Sequence, residues 1–136
     1  MRDVRTKVPF LRSKKQRIAE EESVTAPTKP HFLIVWEYFA KPEVESSFEA
    51  AYGPEGVWVQ FFRKGTGYRC TRLLSEMRQF RCYLTLDFWD SRAVYEQFRQ
   101  SHAQEYAAID RECESLMERE TLLGMYEGVA HSVKNG

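Results

Sequence analysis

Cys82-Tyr83-Leu84-Thr85-Leu86-Asp87-Phe88-Trp89-Asp90-Ser91 is the stretch on which the fold turns. Side chains alternate between the two faces of a strand, so Leu84, Leu86 and Phe88 share one side and Tyr83, Thr85, Asp87 and Trp89 the other. The first side is apolar and is expected to pack on helices. The second carries a phenol, a hydroxyl, a carboxylate and an indole, an unusual set to turn toward bulk water, and is the expected seat of function. Asp90 or Ser91 then caps a helix. An apolar stripe at Phe98, His102, Tyr106, Ile109, Cys113 and Leu116 carries that helix to about Arg119.

Working upstream, Phe32-Leu33-Ile34-Val35-Trp36-Glu37-Tyr38-Phe39 is β-branched and aromatic and reads as a central strand, with Glu37 its one charge. Lys41-Pro42-Glu43 is expected to open a helix striped by Val44, Phe48, Ala51 and Tyr52. Gly53-Pro54-Glu55-Gly56 ends it, and a short second helix runs from Val57 to Lys64 with Trp58, Phe61 and Phe62. Gly65-Thr66-Gly67 leads into a strand from Tyr68 to Ser75, and a turn near Glu76–Gln79 returns the chain to the strand ending at Trp89. A hairpin symmetric about that turn sets Cys70 opposite Thr85 and Arg72 opposite Tyr83, so Arg72 is expected on the polar face. Downstream, Thr121 to Glu127 reads as a last strand.

The order strand, helix, strand, strand, helix, strand is a split β-α-β unit repeated. It predicts an α+β, ferredoxin-like βαββαβ fold, a four-stranded antiparallel sheet with helices on one face. The uncovered face is too rich in apolar and aromatic side chains for a monomer, so a second copy is expected to pack on it as an isologous homodimer.

Composition narrows the function classes. Hydrophobic residues make up 43% and aromatic residues 14% of the 136, enough for one sizeable core. Formal net charge is zero, which argues against a nucleic-acid partner. Residues 1–30 carry net +4 and residues 31–136 net −4. The first 30 residues show no sustained apolar period and read as a basic, disordered extension; residues 31–130 form the domain and 131–136 a tail. Three unpatterned cysteines suggest a reducing compartment. With no apolar run long enough to span a bilayer and no secretory pattern, no membrane association and a cytoplasmic location are expected. No phosphate-cradling glycine loop, nucleophilic triad or metal cluster is present in the motifs, so no metal is expected.

The set Tyr83-Leu84-Thr85-Leu86-Asp87-x-Trp89-x-Ser91, followed by Tyr95-x-x-Phe98 and Ser101-His102, resembles the antibiotic biosynthesis monooxygenase superfamily. Val35-Trp36-Glu37-Tyr38-x-x-Lys41-Pro42 and Gly67-Tyr68 extend the likeness over about residues 31–130. The resemblance implies a dimeric α/β barrel. It also implies oxidation of a small aromatic, phenolic or quinol-type substrate by molecular oxygen without a cofactor. Some members open haem with an asparagine on the first strand and a histidine on the helix after the tryptophan. Here His102 lies on that helix, but the strand carries Glu37 and no asparagine, so haem is the lesser expectation.

Within that frame Trp89 and Tyr83 are candidates to hold an aromatic ring, Trp58 to line a wall, and Arg72 to stabilise developing negative charge. His102, Asp87 and Glu37 are candidate bases, the last two as a carboxylate pair in a shared cavity. Each has a plainer alternative: Trp89 and Tyr83 as core, His102 as a packed stripe residue, the carboxylates in ion pairs with Arg72 or Arg81. The competing function is non-catalytic, a dimeric barrel that binds a small molecule or serves a stress response.

Overall fold

The computed structural model describes residues 31–129; the expected N-terminal extension and the 131–136 tail lie outside them. The elements are β1 (Phe32–Ala40), α1 (Glu45–Tyr52), α2 (Val57–Phe62), β2 (Tyr68–Ser75), β3 (Cys82–Trp89), α3 (Arg92–Ser101), α4 (Ala103–Cys113), a single 3-10 turn at Glu114–Leu116, and β4 (Met117–Glu127). They build a four-stranded antiparallel sheet in the order β2-β3-β1-β4, with the aromatic core between the sheet and the helices. The expected α+β, ferredoxin-like arrangement is the one observed.

The two central strands carry the pattern that decides the packing. Phe32 pairs with Trp89, Ile34 with Asp87, Trp36 with Thr85 and Tyr38 with Tyr83. Of these eight, all but Trp36 are buried, and Trp36 packs on the core from its edge. The alternate set, Leu33, Val35, Glu37 and Phe39 with Leu84, Leu86 and Phe88, is half-buried on the other face.

The faces are therefore inverted relative to the sequence expectation: the helices cover Tyr83, Thr85, Asp87 and Trp89, and the leucine–phenylalanine face is the open one. The reason lies in size. The helices offer a thick layer of rings, and rings bury the most apolar area per residue. Phe48 stacks on Tyr83 with centroids 4.7 Å apart, and Phe98 lies 5.2 Å from Trp89. The smaller aliphatic side chains are left to form a flatter outer surface.

Local chemistry sets the element ends. Ser91 caps α3, its Oγ accepting from the Val94 N–H at 3.2 Å. Gly67 takes φ +94°, a left-handed conformation costly for other residues, and its carbonyl accepts from the Asp90 N–H at 2.7 Å. A Cβ on Gly65 would stand 2.6 Å from the Phe98 ring and 3.2 Å from the Trp89 ring, so only glycine lets this loop close over the tryptophan.

Three boundaries differ from expectation. Pro42 and Glu43 form a turn, with Glu43 at φ 71°, and the helix begins only at Glu45. The β2–β3 turn extends to Arg81, at φ 67°, leaving Met77 and Phe80 over 90% exposed at the tip. The long helix breaks at His102 into α3 and α4.

Candidate functional site

Asp87 is the one carboxylate on the helix-covered face of the two central strands, 8% exposed and flanked by Ile34 on β1 and Thr71 on β2. The Thr71 hydroxyl donates to Asp87 Oδ1 at 2.7 Å. Thr71 Oγ1 also lies 2.7 Å from the Tyr68 hydroxyl. Thr71 has a single proton and gives it to the carboxylate, so Tyr68 is the donor in the second bond. The result is a directed relay, Tyr68 to Thr71 to Asp87.

Burial pushes the Asp87 carboxyl up to about 6, and the Thr71 hydrogen bond offsets only part of that rise. Tyr68 is pushed up to about 12, chiefly by burial. The Tyr38 and Tyr106 hydroxyls are raised as well, by burial first and with a smaller contribution from the Asp87 charge. The carboxylate thus sits in a chamber of phenols and rings with no ion-pair partner among the described residues.

The β2–β3 turn and a β-bulge in β2 together make this arrangement. Because the turn runs on to Arg81, Ser75 pairs with Tyr83 and Arg72 with Leu86, three residues out of step with the symmetric hairpin, so Thr71 turns inward to Asp87 while Cys70 and Arg72 turn outward. Tyr68 then pairs with Trp89 and Cys70 with Phe88, so Arg69 is an extra residue in the ladder and Tyr68 returns to the inner face beside Thr71. Thr71 and Tyr68 are the residues sequence reasoning missed as site members. Nothing in a single strand's alternation announces a bulge, although Arg69 followed by two small polar residues is compatible with one.

Two indole N–H groups complete the chamber. Trp89, with no exposed surface, packs edge-on against Tyr68 at 5.2 Å, Tyr95 at 5.4 Å and Phe62 at 5.6 Å. Trp58 stands edge-on to Tyr106 at 5.0 Å. Neither Nε1 has a hydrogen-bond partner among the described residues. Trp58 Nε1 lies near the Tyr52 hydroxyl and the Cys113 thiol without reaching good geometry to either. A buried unsatisfied donor costs roughly 1–3 kcal/mol, so a pair of them in one layer is a feature to be explained.

The other expected residues fall elsewhere. Tyr83 shares the inner face but lies six residues, roughly 20 Å, along the strand from Trp89, and its hydroxyl donates to Glu49 Oε2 at 2.6 Å. Glu37 is on the opposite face from Asp87, where its Oε2 accepts from the Cys82 thiol at 3.8 Å. The expected carboxylate pair is therefore not formed, because 37 and 87 have opposite parity in the β1–β3 register. Arg72 is outward, opposite Leu86, which corrects its expected place on the polar face. Arg81 donates to the Ala40 carbonyl at 2.7 Å and pairs with Glu118 at 3.5 Å, away from Asp87.

His102 terminates α3. Its ring stacks on Phe98 at 4.4 Å, and Nδ1 lies 3.2 Å from the Phe98 carbonyl. Phe98 stands between this imidazole and Trp89, so His102 is outside the Asp87 chamber. Two clefts border His102, one of about 220 Å³ beside Phe98 and one of about 420 Å³ lined by residues 100–105. Access to the relay comes from the other side, through a cleft of about 100 Å³ between α2 and β2 bounded by Val59, Arg63, Tyr68 and Thr71.

No protein-family profile and no curated protein matches the chain. Solved structures do. A Shewanella oneidensis protein superposes with a TM-score of 0.56 at 13% identity, over 76% of this chain and 95% of its own. A candidate antibiotic biosynthesis monooxygenase from Bordetella bronchiseptica gives 0.51 at 18% identity, over 71% and 93%. Another so named, from Chloroflexus aurantiacus, gives 0.50 at 14%, over 75% and 94%. Likeness at such identities establishes the fold.

Proposed function

From an antibiotic-biosynthesis-monooxygenase fold with a buried acid inside it, we propose that the chain is a cofactor-independent oxygenase of a small phenolic or quinol-type aromatic. The observation that carries the reading is the Asp87 carboxyl, held near pKa 6 in an aromatic chamber at the end of a hydroxyl relay. A group poised there is ionised at neutral pH yet basic enough to take a proton from an acidic phenol. The resulting phenolate is electron-rich and passes an electron to molecular oxygen. Radical recombination then forms the carbon–oxygen bond; one oxygen atom stays in the product and the other leaves as water, the substrate supplying the electrons. The Trp89 and Trp58 N–H groups are the donors for the developing oxyanion. Once Asp87 is protonated both bonds reverse, Asp87 donating to Thr71 and Thr71 to Tyr68, which carries the proton toward the α2–β2 cleft.

The test is oxygen uptake with a panel of fused-ring phenols and 1,4-dihydroxynaphthalenes. Turnover by the native chain and a loss of about 10²–10⁴-fold in Asp87→Asn are expected. Uptake that is insensitive to that substitution refutes the proposal. A ligand that binds in the chamber and is never altered under oxygen establishes instead the non-catalytic, small-molecule-binding reading.

The open face supports a homodimer as part of the same proposal. Leu33, Val35, Phe39, Leu84, Leu86 and Phe88 line one contiguous sheet surface with Glu37 its one carboxylate on the two central strands. Such a surface suits a second copy placed face to face. Val35→Glu is expected to give a folded monomer by sedimentation, with native circular dichroism; a dimer unaffected by it would place the interface elsewhere. Among the described residues no helix is long and apolar enough to cross a membrane.

A further inference from the structure

Beyond the open face, two apolar features of the chain have no cover among the described residues. One is the tip of the β2–β3 hairpin, where Met77 is 93% and Phe80 91% exposed. It continues the open face through Leu74, which pairs with Leu84 and is itself exposed. The other is β4. Leu122 pairs with Trp36 and Met125 with Ile34, so both point to the helix side, yet they are 40% and 45% exposed against 2% for Ile34. The helices cover β1 and β3 and stop short of β4. Met125 is therefore the bare end of the row Thr71–Asp87–Ile34–Met125 that crosses the inner face through the proposed base.

Sheet dimensions connect the two features once a second copy packs on the open face. Strands lie about 4.8 Å apart, so four of them span roughly 14 Å between edge strands, whereas an eight-residue strand is about 27 Å long. Sheets pack face to face either aligned or near right angles. Aligned packing leaves both hairpin tips in water beyond the sheet ends. Crossed packing lays each strand across a sheet narrower than its own length, so each tip overhangs an edge of the partner sheet. One hollow on this face, about 470 Å³ between His31, Arg72, Leu86 and Phe88, leaves room for side chains of the second copy.

Chemistry selects which edge. The tip carries Arg78 between Met77 and Phe80, its side chain 90% exposed and only 3.9 Å from Glu76. The β2 edge turns Arg72 outward and has Arg69 beside it, so it repels such a tip. On β4 the apolar strip is flanked on the same face by Glu120, opposite Tyr38, and Glu127, opposite Phe32. Neither glutamate is in an ion pair among the described residues. An acid-edged apolar strip complements an apolar tip that holds one arginine.

We propose that in the homodimer each β2–β3 tip reaches round the partner's β4, its Phe80 ring on Leu122 and Met125 and its Arg78 toward the flanking glutamates. The second copy then closes the open end of the Asp87 row, and the chamber is complete only in the pair. This rests on the homodimer reading and not on the oxygen chemistry.

The test is a disulfide between Phe80→Cys and Met125→Cys, placed together in the full chain with the exposed Cys70 changed to serine. Within one chain the two positions are about 20 Å apart, beyond disulfide reach. Mild oxidation is expected to give a covalent dimer on a non-reducing gel, in yield well above that of either single cysteine variant. Phe80→Ser should weaken the dimer about ten- to hundredfold by sedimentation, the loss expected for one buried phenyl ring. In the Val35→Glu monomer the same change should leave the melting temperature unaltered, because there the ring is in water. A dimer that Val35→Glu splits, but that neither cross-links through this pair nor responds to Phe80→Ser, overturns this inference and leaves the homodimer standing. A native chain that sediments as a monomer overturns both. A lower melting temperature for Phe80→Ser in the monomer also overturns the inference, since it assigns the ring to its own chain.

Discussion

Asp87→Asn is expected to raise stability at neutral pH while removing turnover. The carboxyl stands at about 6 in the folded chain against an ordinary value of 3.8. The folded state therefore holds its proton more tightly than the unfolded state does. The favourable contribution of that proton is complete below the unfolded value and is lost as pH rises through about 6. Two pKa units correspond to roughly 3 kcal/mol, which is the destabilisation carried by the ionised group above pH 6.

Asparagine has nearly the shape of aspartate, accepts the same Thr71 hydrogen bond and has no charge to desolvate. Its gain is up to about 3 kcal/mol at pH 7–8, reduced by whatever its buried amide N–H groups leave unpaired. Chemical denaturation across pH 4 to 8 reads the effect as a difference between wild type and variant that opens between pH 4 and 6 and stays constant above. The rate profile moves the opposite way: turnover by the wild type rises through pH 6 as the base ionises. A wild type whose stability relative to the variant is flat over this range would show that the carboxyl is not held in its raised state. Stability withheld at a functional group is the expected trade-off at an active site.

Trp89→Ala is expected to cost about 3–5 kcal/mol, the range for truncating a large buried ring. Trp89 has no exposed surface and touches Phe62, Tyr68, Tyr95 and Phe98, joining α2, β2 and α3 to the end of the sheet. That cost is a large share of the 5–15 kcal/mol that holds a typical domain. The alanine variant alone cannot distinguish packing from chemistry.

Trp89→Phe separates them. It keeps most of the ring contacts and removes the unpartnered N–H, so it should lose under about 2 kcal/mol. If the indole N–H meets the substrate oxyanion, oxygen uptake falls about tenfold in a fully folded protein. Uptake at the wild-type rate would leave Trp89 a purely structural residue and shift the donor role to Trp58.

Several features were legible in single stretches of sequence. The alternation from Cys82 to Trp89, the aromatic run from Phe32 and the cap at Ser91 each depend on neighbours within a few positions. They placed the strands, the start of the helix after Trp89 and the order of the sheet. Asp87 and Trp89 were singled out because a carboxylate and an indole on one strand face are conspicuous without any knowledge of what covers them. His102 sat in a continuous helical stripe on paper, whereas the chain turns there, with φ −123° and ψ 33°, and starts a new helix.

What sequence alone determined is the periodicity: which residues form strands and helices, and which side chains share a face within each. It could not say which of two faces the helices would cover, since that depends on how rings contributed by four separate helices fill a common layer. Nor could it set parity between strands. Glu37 and Asp87 were separated by the β1–β3 register, Arg72 and Thr71 exchanged faces because the β2–β3 turn runs on to Arg81, and the extra residue at Arg69 returned Tyr68 to the inner face. A register is fixed by the whole ladder and its packing, and with a period of two each single-residue shift sends a side chain to the other side of the sheet. Tertiary structure therefore decided which polar residues meet: Tyr68, Thr71 and Asp87 inside, Arg72 and His31 outside.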